Sequence, residues 1–236
     1  MTQDLEIWKD LEQYNVYRSG ATMAACFGAD LVPLLELARQ RTGAEQPYVN
    51  ASMVTRCAAF IFTARLFALC KYRVKWTGQL SSIGLQDHVG NGNWFPRWVF
   101  SDGSWEKVQD EADILAELKR ILCIDCRQIV KSVASQANSP QHVLWENIWG
   151  YVLWMYVQLL RQPGELAGKA SNDLSIVLDS KTWSEVERSS PFNRFLRGKK
   201  PVEAMDHFSR VTCCYYYKIP GHQKCSYCPN LQKKES

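Results

Sequence analysis

The sequence predicts a helix-dominated α+β fold with a small antiparallel sheet and a cysteine-rich C-terminal segment. Long stretches with apolar residues at helical spacing occupy both halves of the chain. Short β-prone runs, separated by glycine and asparagine, interrupt them between residues 73 and 107. Four of the nine cysteines fall within residues 213–228. We therefore expect a helix-rich α+β body over residues 1–200, and a separate cysteine segment over residues 201–236.

The N-terminal part of the chain predicts three helices. Residues 2–18 carry apolar and aromatic side chains at helical intervals. Leu31 to Arg41 is typical of a short amphipathic helix that stops near Gly43. Asn50 to Tyr72 is long and strongly apolar, so we expect it to be buried over most of its surface.

The next segment changes character and predicts the sheet. Val74 to Trp76, Ile83 to Leu85 and Trp98 to Phe100 are short runs rich in β-branched and aromatic residues. Because tight turns join them, we expect antiparallel pairing.

The second half of the chain again predicts helices. Glu111 to Ala137 has a clear apolar face, and Ser139-Pro140 signals the start of a helix that runs to about Arg161. Two shorter helices are expected after Pro163-Gly164, and they cover Asn172 to Leu178 and Trp183 to Phe195.

Composition limits the class of protein. The net charge of +4 is small, and no basic stripe or nucleic-acid-binding motif is visible, so we expect no nucleic-acid partner. The N-terminus has no targeting pattern, and the apolar stretch Ile148 to Val157 is too short to cross a bilayer. An odd cysteine count argues against a secreted disulfide framework. We therefore expect a cytoplasmic protein with no membrane span.

The strongest functional signal is the pattern C-C-x10-C-x2-C, formed by Cys213, Cys214, Cys225 and Cys228. Four thiolates this close together can surround one metal centre, and Pro220-Gly221 would fold the chain back so that the two pairs meet. Adjacent cysteines do not fit the usual C-x2–4-C spacing of zinc sites. The spacing by itself leaves an iron–sulfur cluster and a zinc ion both open.

The segment resembles the C-terminal [2Fe-2S] motif of the FhuF-type ferric siderophore reductases. The resemblance covers about the last thirty residues and includes, besides the cysteines, Arg210, Tyr215 to Tyr217, Lys218, the Pro220-Gly221 turn and Pro229. A second stretch, Gln141 to Asn147, is similar to a Trp-x-Asn helix start seen in such proteins.

The resemblance implies that the four cysteines ligate a [2Fe-2S] cluster. It also implies that the substrate is a ferric siderophore, which one electron reduces in the cytoplasm so that Fe(II) is released.

Other residues have two interpretations each. Cys123 and Cys126 lie in the middle of a predicted helix. They are either core side chains or a redox pair that relays electrons to the cluster. His222 could replace a cysteine ligand or donate to a cluster sulfur. Tyr215 to Tyr217 could shield the cluster, or form a strand with one buried face. Trp94, Trp98 and Trp105 could line a chelate pocket, although core packing is the commoner use.

A set of cations brackets the cysteines and could dock an anionic chelate or an acidic electron donor, although a solvated charged face is the default. The set is Arg194, Arg197, Lys199, Lys200, Arg210, Lys218 and Lys224. No nicotinamide-, flavin- or nucleotide-binding motif is present. The electron must then come from a ferredoxin-like protein, a flavin reductase or a diffusible reductant.

Two functions of other classes remain open from the residues alone. One is a zinc-stabilised binding module without enzymatic activity. The other is an iron–sulfur electron carrier or sensor that does not bind ferric chelates.

Overall fold

The computed structural model describes residues 2–20, 22, 27, 30–90 and 92–231. The helices, in chain order, are α1 (Thr2–Leu11), α2 (Val32–Thr42), α3 (Pro47–Tyr72), α4 (Glu111–Lys119), α5 (Arg127–Gln136), α6 (Gln141–Leu160), α7 (Glu165–Leu178), α8 (Ser180–Trp183), α9 (Asn193–Leu196) and α10 (Pro201–Asp206). The strands are β1 (Val16–Tyr17), β2 (Val74–Trp76), β3 (Ile83–Gln86), β4 (Val89–Gly90), β5 (Asn93–Trp94), β6 (Arg97–Phe100) and β7 (Trp105–Lys107).

Helices α3 and α6 form the centre of the fold and pack along each other. Both are apolar on almost every face, which is the pattern of a helix that is surrounded by other elements. Pro47 begins α3 in the position where a missing N–H costs nothing. Arg73 ends it in a left-handed conformation, and its N–H donates to the Leu69 carbonyl at 3.1 Å. The predicted burial of this helix is confirmed.

Within the described part of the chain, α3 is long and apolar enough to be a possible bilayer span. However, 94% of its apolar window is buried inside the fold.

The strands form three small sheets beside α3. The first has the order β1-β6-β3, with β1 parallel and β3 antiparallel to β6. The second is the antiparallel pair β2-β7, and the third is the β4-β5 hairpin. The predicted sheet region is therefore confirmed. The predicted helix over residues 2–18 is too long, because the chain turns at Asn15 (φ 54°) and continues as β1.

The predicted helix from Glu111 to Ala137 is continuous, with a π-helical segment, Arg120–Cys126, between α4 and α5. Helix α7 begins seven residues before the predicted start. The single helix predicted from Trp183 to Phe195 is wrong, since α8 ends at Trp183 and α9 begins only at Asn193. Pro191 lies between the two and disfavours helical backbone at the residue before it.

Candidate metal centre

The C-terminal segment is held against α6 by the carboxylate of Glu146. This carboxylate accepts hydrogen bonds from the backbone N–H of Thr212 at 2.7 Å, from the N–H of Val211 and from the Thr212 hydroxyl. Glu146 is only 2% exposed. A buried carboxylate is stable when its lone pairs are filled in this way, and charge-assisted hydrogen bonds are the stronger kind.

Arg210 links the same segment to both central helices. Its guanidinium pairs with Glu146 at 3.4 Å and donates to the Asn147 side-chain oxygen at 2.8 Å. Asn147 donates in turn to the Ser52 hydroxyl oxygen at 2.9 Å, and that hydroxyl donates to the Cys214 carbonyl at 2.6 Å. Together these residues form what we call the polar clamp. Its members are Ser52, Glu146, Asn147, Arg210 and Thr212, all of them buried.

The far end of the segment is fixed by apolar contacts and a turn. Ile219 packs into a small cluster with Ala44, Val49 and Met53 of the α2–α3 region. The His222 N–H donates to the Ile219 carbonyl at 3.1 Å across Pro220-Gly221, and Gly221 has φ +79°. A turn with positive φ at its third residue favours glycine there. The predicted Pro-Gly turn is therefore confirmed.

These two attachments fix the segment that contains the four thiols. The Cys228 N–H donates to the Cys225 carbonyl at 3.0 Å, so the C-x2-C pair spans a tight turn. The Arg210 N–H donates to the Tyr227 carbonyl at 3.1 Å and joins this turn to the chain that leads into Cys213. Cys214 and Cys228 are buried, whereas Cys213 and Cys225 are half-buried.

The thiols lie within electrostatic reach of one another. Burial, with a further contribution from the neighbouring thiols Cys214 and Cys228, raises the pKa of Cys225 to about 11. Burial also raises the pKa of Cys213, with Cys228 and Cys214 again among the causes. The Tyr215 N–H donates to Cys213 Sγ at 3.3 Å. Such donors to a ligand sulfur stabilise the thiolate form and tune the redox potential of iron–sulfur clusters.

Among the described residues, no three His, Cys, Asp or Glu side chains converge in an arrangement that holds a single metal ion. By number and type the four thiols nevertheless fit a binuclear cluster as a donor set, because all four are free and none is tied up in a disulfide. Cys213, Cys214, Cys225 and Cys228 would each supply one thiolate.

Comparison with protein families decides the nature of the centre. The family model for the FhuF 2Fe-2S C-terminal domain matches residues 210–229. These residues are thus similar to the C-terminal [2Fe-2S] domain of FhuF-type proteins. The match confirms the resemblance that the cysteine spacing suggested, and it confirms the [2Fe-2S] cofactor over zinc. A search of curated proteins finds no match to the chain.

Two predictions about this FhuF-type segment need correction. The residues from Tyr215 to Tyr217 do not form a strand, since Tyr215 is left-handed and the Tyr216–Lys218 stretch is a 3-10 turn. His222 does not donate to a sulfur, because its ring nitrogens face the Pro220 carbonyl and the Asn93 side-chain oxygen. Tyr215, with φ 60°, turns the chain directly after Cys214 and prevents an extended run there.

The predicted docking cations differ in their surroundings. Arg194, Lys199 and Lys200 are exposed, and Arg197 donates to the Arg210 carbonyl at 2.9 Å. Lys218 is exposed and donates to the Tyr48 hydroxyl. The Arg210 guanidinium is buried in the polar clamp and already paired with Glu146. A docking role for the exposed cations stays a prediction.

Cys123 and Cys126 lie in the π-helical segment, far from solvent. Cys123 is 7% and Cys126 0% exposed, and Cys123 Sγ donates to the Thr182 carbonyl at 3.6 Å. Burial raises the pKa of Cys123 to about 11 and that of Cys126 well above its ordinary value. Protonated, buried thiols are inert, so the core interpretation fits this pair better than redox chemistry.

Predictions from the sequence missed the cavities beside the cluster segment. One, which we call the cluster cavity, has a volume of about 350 Å³ and includes Cys214 in its wall. A second, the hairpin cavity, has a volume of about 300 Å³ and lies against the β4-β5 hairpin. Arg56 of α3 and Tyr151 of α6 line both. A signal was present in the sequence, because Ser52 and Arg56 are polar residues four positions apart in a mostly apolar helix.

Of the three tryptophans considered for a pocket, Trp94 lines the hairpin cavity. Trp98 is in the core, where its ring N–H donates to the Cys57 carbonyl at 2.9 Å. Trp105 packs edge-on against Trp8.

Proposed function

We propose that this protein is a cytoplasmic ferric siderophore reductase. The observation that carries the proposal is the match of residues 210–229 to the FhuF 2Fe-2S C-terminal domain. The family suggests an oxidoreductase that acts on siderophore-bound iron. The cluster cavity supports this function, because a cluster-ligand residue, Cys214, forms part of the wall of a space large enough for a small molecule.

The chemistry follows from the preferences of iron. Siderophores are oxygen-rich chelators that hold Fe(III) much more tightly than Fe(II). When bound, a [2Fe-2S] cluster supplies one electron at a time. In the reduction, the ferric chelate gains one electron and becomes a ferrous chelate whose charge is more negative by one. The electron is replaced by a ferredoxin-like protein, a flavin reductase or a diffusible reductant, and Fe(II) then passes to softer ligands.

The chain's own residues bind and orient the reactants. The polar clamp fixes Cys213 and Cys214 on the rigid pair α3 and α6, so the cluster has a defined position relative to the cavity. Aromatic side chains in the cavity wall, such as Phe60 and Trp154, offer apolar contact surface to a ligand. The exposed cations Arg194, Lys199 and Lys200 provide a positive surface for an acidic electron donor.

The test uses holoprotein that has been reduced with dithionite and freed of excess reductant. We expect ferric siderophores to reoxidise the protein, as read from the visible absorbance, while a ferrous-specific chelator traps one Fe(II) per electron. Gallium(III) siderophores, which accept no electron, should leave the protein reduced. Reduced wild-type protein that no ferric siderophore reoxidises would contradict the proposal and favour an electron carrier or sensor.

A further inference from the structure

The cluster cavity and the hairpin cavity share a wall, and that wall contains Arg56 of α3. The charge of Arg56 differs from that of other buried or half-buried arginines in how it is balanced. Arg65 pairs with Glu117 and Asp125, Arg73 pairs with Asp173, and Arg210 pairs with Glu146. Within the described part of the chain, Arg56 pairs with no carboxylate. It is partly buried, and a partly buried cation without a counter-charge is costly unless it serves a ligand.

The neighbours of Arg56 hold its guanidinium in place without neutralising it. Tyr151 lines the same two cavities beside it. The guanidinium lies 5.0 Å from the centre of the Tyr216 ring, a cation–π contact that leaves the edge of the guanidinium free to bind an anion. A guanidinium fixed in this way is well suited to a carboxylate or another anionic oxygen.

Several aromatic side chains contribute to the remaining wall. Phe60 contacts Tyr151 with ring centres 4.5 Å apart, and Phe208 contacts Tyr227 at 5.4 Å. Three large side chains at these cavities are partly exposed, namely Trp154 at 37%, Tyr227 at 38% and Phe95 at 37%. Exposed apolar surface concentrated around a cation is the pattern of a ligand site.

We propose that the two cavities form one cleft that binds the ferric chelate, and that Arg56 selects chelates with net negative charge and apolar arms. This inference rests on the proposed function. Each cavity is near the lower end of the size range for small-molecule sites, and a shared wall lets one branched ligand occupy both. A chelate in the cluster cavity would lie beside Cys214. Because reduction adds a negative charge to the chelate, Arg56 would stabilise the product more than the reactant.

Binding is tested apart from electron transfer with gallium(III) complexes on oxidised holoprotein, by equilibrium dialysis. The two probes are hexadentate hydroxamate chelators, one built on citrate with a net negative charge and one linear trihydroxamate with none. We expect wild-type protein to bind the anionic probe at least about tenfold more tightly, as one charge-assisted contact allows. Arg56→Gln should lose this preference, and Arg56→Lys should keep part of it.

Lys131→Gln is the matched control for charge, because Lys131 is exposed and does not line either cavity. It should leave binding unchanged. A second pair of variants avoids any folding defect at Arg56. Trp154→Glu places a negative charge at the cavity rim and should weaken binding of the anionic probe about tenfold, whereas Leu115→Glu, at the same 37% exposure on α4, should not.

The outcomes separate this inference from the proposed function. If Arg56→Gln with a full cluster keeps the preference for the anionic probe, or if Trp154→Glu binds it as wild type does, the cleft assignment is wrong. Reduced wild-type protein that ferric siderophores still reoxidise would then leave the reductase proposal standing. If no ferric siderophore reoxidises the reduced wild-type protein, the reductase proposal fails, and this inference fails with it.

Discussion

Glu146→Ala tests whether the polar clamp, and not the apolar core, holds the [2Fe-2S] segment. The substitution removes the acceptor of two backbone N–H groups and leaves Arg210, only 6% exposed, without its counter-charge. Removing one partner of a buried ion pair costs about 3–5 kcal/mol. Alanine favours helix more than glutamate does, so α6 itself should not be disturbed.

The cost should appear in docking of the segment more than in global unfolding. A loss of 3–5 kcal/mol corresponds to at least about a hundredfold increase in the undocked population. The assay follows the visible absorbance of holoprotein after a strong iron chelator is added, and we expect Glu146→Ala to lose its cluster at least about a hundredfold faster. Far-UV circular dichroism in urea gives the stability of the body.

Glu187→Ala is the control for this experiment, because it removes a carboxylate whose ion pair with Arg127 is partly exposed. Such pairs contribute about 0–1 kcal/mol, so the cluster should be lost at nearly the wild-type rate. Cluster loss from Glu146→Ala at the wild-type rate would refute the reasoning.

Three further predictions concern the ligands, a buried acid and the turn. Cys225→Ser should contain less iron and acid-labile sulfide than wild type, and a full iron content would contradict its assignment as a ligand. Cys123→Ser should retain both and still reduce ferric siderophores, and an inactive variant would contradict its assignment to the core. Burial raises the pKa of Asp173 despite its pairing with Arg73, so the native state binds more protons than the unfolded state. Relative to Asp173→Asn, wild-type protein should therefore gain stability as the pH falls towards 3.8, the ordinary pKa of this carboxyl, and urea midpoints that run parallel for the two proteins would disprove this. Gly221→Ala should cost about 1–2 kcal/mol of segment docking, because alanine must adopt φ +79° at an otherwise open position, and an unchanged rate of cluster loss would contradict it.

The elements that could be predicted from the sequence are those whose signal is local. The apolar run of α3 and the strands β2, β3 and β6 were predicted within a residue or a few of their observed positions. Each depends on a pattern within a short window of the chain. The helix predicted from Trp183 to Phe195 failed because Pro191 outweighs the apolar pattern around it.

The clamp and the cleft could not be predicted in the same way, because their partners are far apart in the chain. Ser52 reaches the Cys214 carbonyl across 162 positions, and Glu146 reaches Thr212 across 66. These groups come close to one another because α3 and α6 pack together. The stretch from Gln141 to Asn147, similar to a helix start of the FhuF-type proteins, contains Glu146 and Asn147 of the clamp.

The helical repeat connects the clamp to the cleft. Ser52, Arg56 and Phe60 follow one another at four-residue intervals on α3 and therefore lie on the same face. Ser52 holds the Cys214 carbonyl, while Arg56 and Phe60 line the cluster cavity. At 1.5 Å per residue, Ser52 and Arg56 are separated by about 6 Å along the helix axis. An anion held by Arg56 would thus lie about one helical turn from the point where the cluster segment is anchored, so one rigid helix positions both the electron source and its acceptor.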